Sequence, residues 1–421
     1  MTRASIDLPW RPLLRADTSA LAESTVLELA ESVRARAVVR PGLGSGAAGE
    51  AVFLAHVARR WPERFPASAA IERLDAAVQA AATSGDLEFS YGWSGIAWAC
   101  DRVLELAGPP PPEDPCEDVD ERLVEVLEGG PWRGDYDLLG GLVGFGVYAL
   151  GRRRGTRSDR IVSLVVTRLL ELAEAGPAGS TWFTPPDRLP PQERSLAPDG
   201  YYNLGVAHGV PGVVAFLARA AALGEARRGL EDAVDWLMRI RPERAGGYAF
   251  PHWVGPTGAQ GGRCRIGWCY GDLGVALALA VAGRTSSDPR LEAEALRIAG
   301  LVADRDPEDS GAVDACLCHG TAGIAHLFNR LFQATGEERF GAVAQAYFRR
   351  TLEGRRPGEG VGGYRSWSSE GWIDDSSFLG GAAGVGLALL SAVSDEEPVW
   401  DQALLADVPL RRSPSRIGAT A

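Results

Sequence analysis

One small pattern recurs seven times along the chain and limits its fold more than any other feature. A glycine, two variable residues and a second glycine precede an apolar run at Gly46–Gly49, Gly92–Gly95, Gly141–Gly144, Gly209–Gly212, Gly271–Gly274, Gly320–Gly323 and Gly381–Gly384. Successive first glycines are 46, 49, 68, 62, 49 and 61 residues apart. One such pattern carries no information; seven in similar context mark a repeat architecture. The runs after the glycines, such as GVALALAVAG from Gly274 and GVGLALLSAV from Gly384, are apolar nearly all round, as a helix buried on every side must be. Between them lie stretches such as 160–176 and 288–305, whose apolar residues recur at three- and four-residue steps with charge on the other face. Seven outer amphipathic helices alternating with seven inner apolar ones predict an all-α, seven-fold, double-layered α,α-toroid. All seven glycine turns should then open at one end. The alternative arrangement is an irregular α-solenoid.

The rhythm predicts a single toroidal domain over residues 1–408, with proline-rich loop insertions near 107–120 and 178–203. The tail 409–421 reads as disordered. The first twenty residues lack the apolar core of a signal peptide, and no apolar run approaches the ~20 residues of a membrane span. The expected location is therefore cytoplasmic. A net charge of −12 argues against a nucleic-acid partner. All 43 basic residues besides histidine are arginine. Six cysteines in a chain of 421 residues do not form a disulfide framework, so the thiols are core residues, ligands or nucleophiles.

The repeat register sorts these thiols. Two residues before the first glycine the repeats carry Gly44, Ser90, Leu139, Ala207, Cys269, Cys318 and Leu379. One residue before it they carry Ser45, Tyr91, Gly140, His208, Tyr270, His319 and Gly380. Neighbouring repeats five and six thus place cysteines in one register, and repeat six adds a histidine. Cys269, Cys318 and His319 are the expected metal ligands, because two thiolates and one imidazole suit a catalytic zinc with its fourth position open. Soft sulfur donors argue against magnesium or calcium. Taken singly, each cysteine is equally a small buried core residue. Cys264 and Cys316 fall outside the register and are set aside as ligands.

His208 stands in the same register in repeat four and is a candidate acid–base group. Asp137, four residues before Gly141, is placed to orient His208 or accept its proton, or else is a solvated loop carboxylate. Arg265 is either a positive charge for a developing anion or an ordinary surface arginine. His56, His252 and His326 lack such placement and are expected in packing or surface roles.

The set DYDLLGGLVG (135–144), NLGVAHGVPG (203–212), RIGWCYGDLG (265–274) and CHGTAG (318–323) resembles the lanthionine synthetase C-like (LanC) cyclases, in the same motif order from Gly46 to Gly384. The resemblance implies a toroid holding one zinc ion that cyclises dehydrated ribosomal peptides, its partner being a dehydrated precursor made of a leader plus a core. It implies Cys269, Cys318 and His319 as ligands, His208 and Asp137 as acid–base residues, and Arg265 and Tyr270 as active-site residues around the metal. It also implies a stand-alone class I cyclase, since no long region houses a dehydratase or kinase. A dehydratase and an exporter of the same pathway are then possible partners, which would place the chain peripherally on a membrane-associated complex. The expected reaction is Michael-type addition of a cysteine thiol to dehydroalanine or dehydrobutyrine, with His208 protonating the α-carbon. Three alternatives share some of these features: addition of glutathione or another free thiol to dehydrated residues in proteins, another helical-barrel zinc enzyme such as a prenyltransferase subunit, and a non-catalytic zinc scaffold.

Overall fold

The structure, a computed structural model, describes residues 9–108, 111–152, 156–241, 248–258, 260–262 and 264–410. Among them are fifteen α-helices, fourteen of which alternate between two layers. The outer layer holds α1 (Ala16–Arg34), α3 (Ser68–Ala81), α5 (Glu117–Glu128), α7 (Ser158–Leu172), α10 (Gly224–Arg239), α12 (Pro289–Ala303) and α14 (Glu338–Glu353). The inner layer holds α2 (Ala47–Arg60), α4 (Trp93–Ala107), α6 (Leu142–Gly151), α9 (Val210–Arg219), α11 (Asp272–Ser286), α13 (Thr321–Thr335) and α15 (Ala382–Val393). Each inner helix packs on the next, and α15 packs on α2 to close the ring.

Burial follows the layers. Along α11 every residue from Asp272 to Gly283 is buried. On α10 the buried positions are Ala226, Gly229, Leu230, Ala233, Val234, Trp236 and Leu237, mainly the three- and four-residue steps of a single face. Inner helices interlock through small residues: a Cβ on Gly146 would lie 2.2 Å from the Phe216 ring, and one on Gly386 2.3 Å from Phe53.

The repeated glycines have one steric cause. In every repeat the loop before the inner helix folds back over its first turn. The carbonyl oxygen six residues upstream of each glycine then occupies the space a side chain would take. At Gly141 a Cβ would be 2.2 Å from the Asp135 oxygen, and at Gly144 2.4 Å from that of Leu138. Gly271 adds a φ of 109°, which side-chain-bearing residues rarely adopt.

Backbone hydrogen bonds join these loops in a circuit at the register two or three residues before the glycine. Gly44 donates to Ser90 (2.8 Å), Ser90 to Leu139 (2.9 Å), Leu138 to Ala207 (3.2 Å) and Ala207 to Cys269 (3.4 Å). Trp268 donates to Cys318 (2.9 Å), Cys318 to Leu379 (3.0 Å), and Leu379 back to Gly44 (2.9 Å). The seven loops therefore lie side by side at one end of the toroid. The circuit excludes an open solenoid.

The stretch 178–203 carries short structure rather than plain loop. It completes a hairpin (Glu174–Gly176 with Gly179–Thr181) and contains α8 (Pro191–Leu196) and a strand at Tyr202–Asn203 paired with Trp253–Val254. Proline at the start of α8 presets the helical φ there, so these prolines begin structure as well as break it. In 107–120, α5 begins at Glu117. The C-terminal stretch Trp400–Leu404 enters the ring, where the Trp268 indole donates to the Leu404 carbonyl at 2.8 Å. Of the tail, residues 411–421 lie outside the described residues. Among those described, no helix is long and apolar enough to cross a membrane.

Candidate active site

The hydrogen-bonded circuit of loops sets the site. Because Trp268 and Cys269 both donate to the Cys318 carbonyl, the two cysteines are held as neighbours across repeats five and six. Their sulfurs and a ring nitrogen of His319 all lie within 4.8 Å of one another, with Cys269 Sγ 3.7 Å from His319 Nδ1. Cys269 is buried, while Cys318 and His319 are half-buried. The bare backbone at Gly267 admits His319, whose Cβ would be 3.0 Å from any Cβ there.

Electrostatics divides the two thiols. The Cys269 thiol is held well below its ordinary range by its hydrogen bond with Cys318, against burial and with help from His319 and Arg265. Cys318 is pushed well above it by the same contact, by burial and by the Cys269 charge. Two soft sulfurs and an imidazole at this spacing fit zinc, whose bonds to such donors are about 2.0–2.3 Å.

Beside the cluster, His208 Nδ1 donates to Asp137 Oδ2 at 2.5 Å, while Asp137 Oδ1 accepts from the Gly140 amide at 2.8 Å. Burial opposes a charge on His208, but the hydrogen bond and charge of Asp137 outweigh it and raise the imidazole pKa. Tyr270 lies between two histidines, its ring centre 6.4 Å from that of His208 and 5.6 Å from that of His252. Its hydroxyl accepts from Asn203 Nδ2 at 2.9 Å, and burial pushes its pKa up. Arg265 is exposed, and its charge acts on Cys269 and His252.

Asp137, His208, Asn203 and Tyr270 share the wall of a cavity of about 740 Å³. Asp137, His208 and Tyr270 were expected at such a site; Asn203 was not. Asn203 begins the turn before α9, its Oδ1 accepting from the Gly205 amide at 2.8 Å. The signal was present: Asp86, Asp135, Asn203, Asp314 and Asp375 all stand six residues before a first glycine. His252, expected in packing or at the surface, packs its ring on Tyr270; it immediately precedes the Trp253–Val254 strand that pairs with Tyr202–Asn203. Of the cysteines set aside, Cys264 is buried with its thiol pushed up by burial. Cys316 has a supporting place, its sulfur accepting from the His319 amide at 3.5 Å. Asp314 anchors this turn, accepting from the amides of Cys316 (2.9 Å) and Trp367 (2.8 Å).

The family model for lanthionine synthetase C-like proteins matches residues 37–405. The chain belongs to the lanthionine synthetase C-like family. Among solved structures it is similar to nisin cyclase, with a TM-score of 0.70, 19% identity, and coverage of 93% of this chain and 98% of that one. At that identity the likeness establishes the helical toroid. An inactive variant of an α-1,6-mannanase of Salegentibacter sp. gives a TM-score of 0.42 at 11% identity, covering 93% of this chain and 99% of that one. No curated protein matches the sequence.

Proposed function

We propose that this LanC-like protein is a zinc-dependent cyclase that joins a cysteine thiol to a dehydroalanine or dehydrobutyrine of a dehydrated precursor peptide, closing a lanthionine or methyllanthionine ring. The observation that carries this reading is the Cys269–Cys318–His319 cluster beside the His208–Asp137 pair. Cys269, Cys318 and His319 would hold one zinc ion per chain. Bound there, zinc would supply the Lewis acidity that keeps the peptide thiol deprotonated at neutral pH.

The chain's own groups handle the proton. As sulfur adds to the β-carbon, an electron pair moves onto the neighbouring amide as an enolate. His208, kept cationic by Asp137, delivers its proton to the α-carbon and recovers one from the next incoming thiol, so the thiol proton ends on the product. Asp137 fixes the ring with Nδ1 turned toward itself, which leaves Nε2 for the substrate. Arg265 adds positive charge near Cys269, and the Tyr270 hydroxyl, positioned by Asn203, edges the cavity.

Two alternatives fare less well. Glutathione is anionic, and the cavity wall carries six carboxylates against two arginines. A non-catalytic scaffold gives no use to a carboxylate-bound histidine on a cavity wall. A dehydratase acting earlier on the same peptide, an exporter acting later and a cytoplasmic location belong to the proposal. Incubating the protein with a dehydrated precursor and then a thiol-alkylating reagent tests it. Ring closure is mass-neutral, so success appears as lost alkylation sites; a fully alkylated product from zinc-loaded protein would refute the reading.

A further inference from the structure

The cavity beside His208 has a strong charge asymmetry that the addition reaction does not itself require. Glu88, Asp135, Asp137, Glu174, Asp187 and Glu193 line it, against Arg133 and Arg188. Four of these carboxylates have partners: Asp135 pairs with Arg188 at 2.6 Å, Asp137 with His208, Glu174 with the Tyr202 hydroxyl and Glu193 with that of Tyr201. Glu88 and Asp187 make no side-chain ion pair or hydrogen bond among the described residues.

Glu88 is not isolated in space. Its Oε1, Asp135 Oδ2 and Asp137 Oδ1 each lie 3.8 Å from the point where a Cβ on Gly140 would stand. Three carboxylates from repeats two and three thus surround a bare glycine on the wall that also carries His208. Burial first, and then the charges of Asp86, Asp135 and Asp137, raise the proton affinity of Glu88. A cleft lined by one sign of charge focuses its field on whatever enters it.

We infer that this cavity selects peptide segments with a lysine or arginine beside the reacting cysteine, that Glu88 receives the basic group in the space over Gly140, and that acidic segments are rejected. The inference rests on the cyclase reading and names the class of peptide that reading leaves open.

Three dehydrated peptides that differ only in Lys, Gln or Glu next to the cysteine test it, with cyclisation followed by alkylation. Matched peptides with serine in place of cysteine report binding alone, by fluorescence anisotropy. The lysine peptide should exceed the glutamate peptide by ~10-fold in both kcat/KM and affinity at low salt. That ratio should fall toward unity at about 1 M salt, where charges are screened within ~3 Å. Glu88→Gln should cut the ratio several-fold, whereas Glu225→Gln on α10, which removes the same charge from a residue outside the cavity lining, should leave it intact. Equal binding of the three peptides would overturn the inference, as would a ratio unmoved by Glu88→Gln. Failure of the glutamine peptide to cyclise would instead count against the cyclase reading, with the binding ratio still deciding the charge preference.

Discussion

His208 Nδ1 lies 2.5 Å from Asp137 Oδ2, although the two residues are 71 positions apart and belong to different repeats. One residue away, the Leu138 amide donates to the Ala207 carbonyl at 3.2 Å, so the bonds that close the toroid also bring the pair together. Asp137 raises the His208 pKa, so the imidazole stays charged to higher pH than a free histidine, and a step needing its proton slows as pH rises through that raised value. Asp137→Asn should therefore move the high-pH limb of the ring-closure profile to lower pH and cut the maximal rate by about 10²-fold. A pH–rate series on zinc-loaded protein checks this. An unmoved limb would remove His208 as the proton donor.

Asn203 uses both ends of its amide: Oδ1 accepts from Gly205, and Nδ2 donates to Tyr270 at 2.9 Å and to the Tyr201 hydroxyl at 3.4 Å. Asn203→Asp keeps the acceptor and loses the donor, so it should fold while slowing ring closure by about tenfold. Thermal unfolding run beside the rate separates the two effects. A normal rate in a folded variant would show that the Tyr270 hydroxyl need not accept from residue 203, since a carboxylate there could only accept from it.

The seven-fold repeat was legible because its cause is steric and local. A glycine whose Cβ position is filled by a carbonyl oxygen cannot be replaced without moving backbone, and it recurs wherever the loop recurs. The register placed Cys269 and Cys318 together because the inter-repeat bonds run through that same position. Asn203 was missed for a different reason. It meets Tyr270 beside a two-residue strand pairing between Tyr202–Asn203 and Trp253–Val254, inside insertions that break the repeat. Two-residue strands leave no periodicity to read. The supporting bond from the His319 amide to Cys316 depends on how a single turn folds, which register does not encode.

The steric account predicts a contrast between two glycines. A Cβ on Gly95 would lie 1.8 Å from the Phe89 carbonyl oxygen, whereas one on Gly85 has nothing within 4 Å. Gly95→Ala should lower unfolding stability by about 3 kcal/mol, because backbone has to give way. Gly85→Ala should stay within about 0.5 kcal/mol of the native chain. Denaturant titrations of both variants check it, and equal midpoints would contradict it.

Acid should loosen the segment that enters the ring. Asp401 is fully buried, bonded to Arg330 at 2.8 Å and to His326 at 2.9 Å. Burial alone would raise its pKa, but the Arg330 charge and the bonds from both partners hold it at about 2. A carboxylate held below its ordinary value of 3.8 contributes stability that is complete above that value. That contribution is lost as pH falls from about 4 toward 2. Asp401→Asn should cost about 3 kcal/mol near neutrality, the low end for a broken buried pair because Glu397 also contacts Arg330. The variant should also show a shallower acid dependence between pH 4 and 2. Unfolding curves at stepped pH check both, and parallel acid profiles for the two proteins would contradict the assignment.

The central claim is that Cys269, Cys318 and His319 together hold the zinc on which ring closure depends. The most direct test is zinc content per chain, by elemental analysis of native and Cys318→Ala protein purified side by side, with ring closure assayed on the same samples. The account predicts one zinc per native chain, a large loss of zinc in the variant and no ring closure above the non-enzymatic background. A Cys318→Ala protein that keeps a full equivalent of zinc and closes rings at the native rate would contradict it.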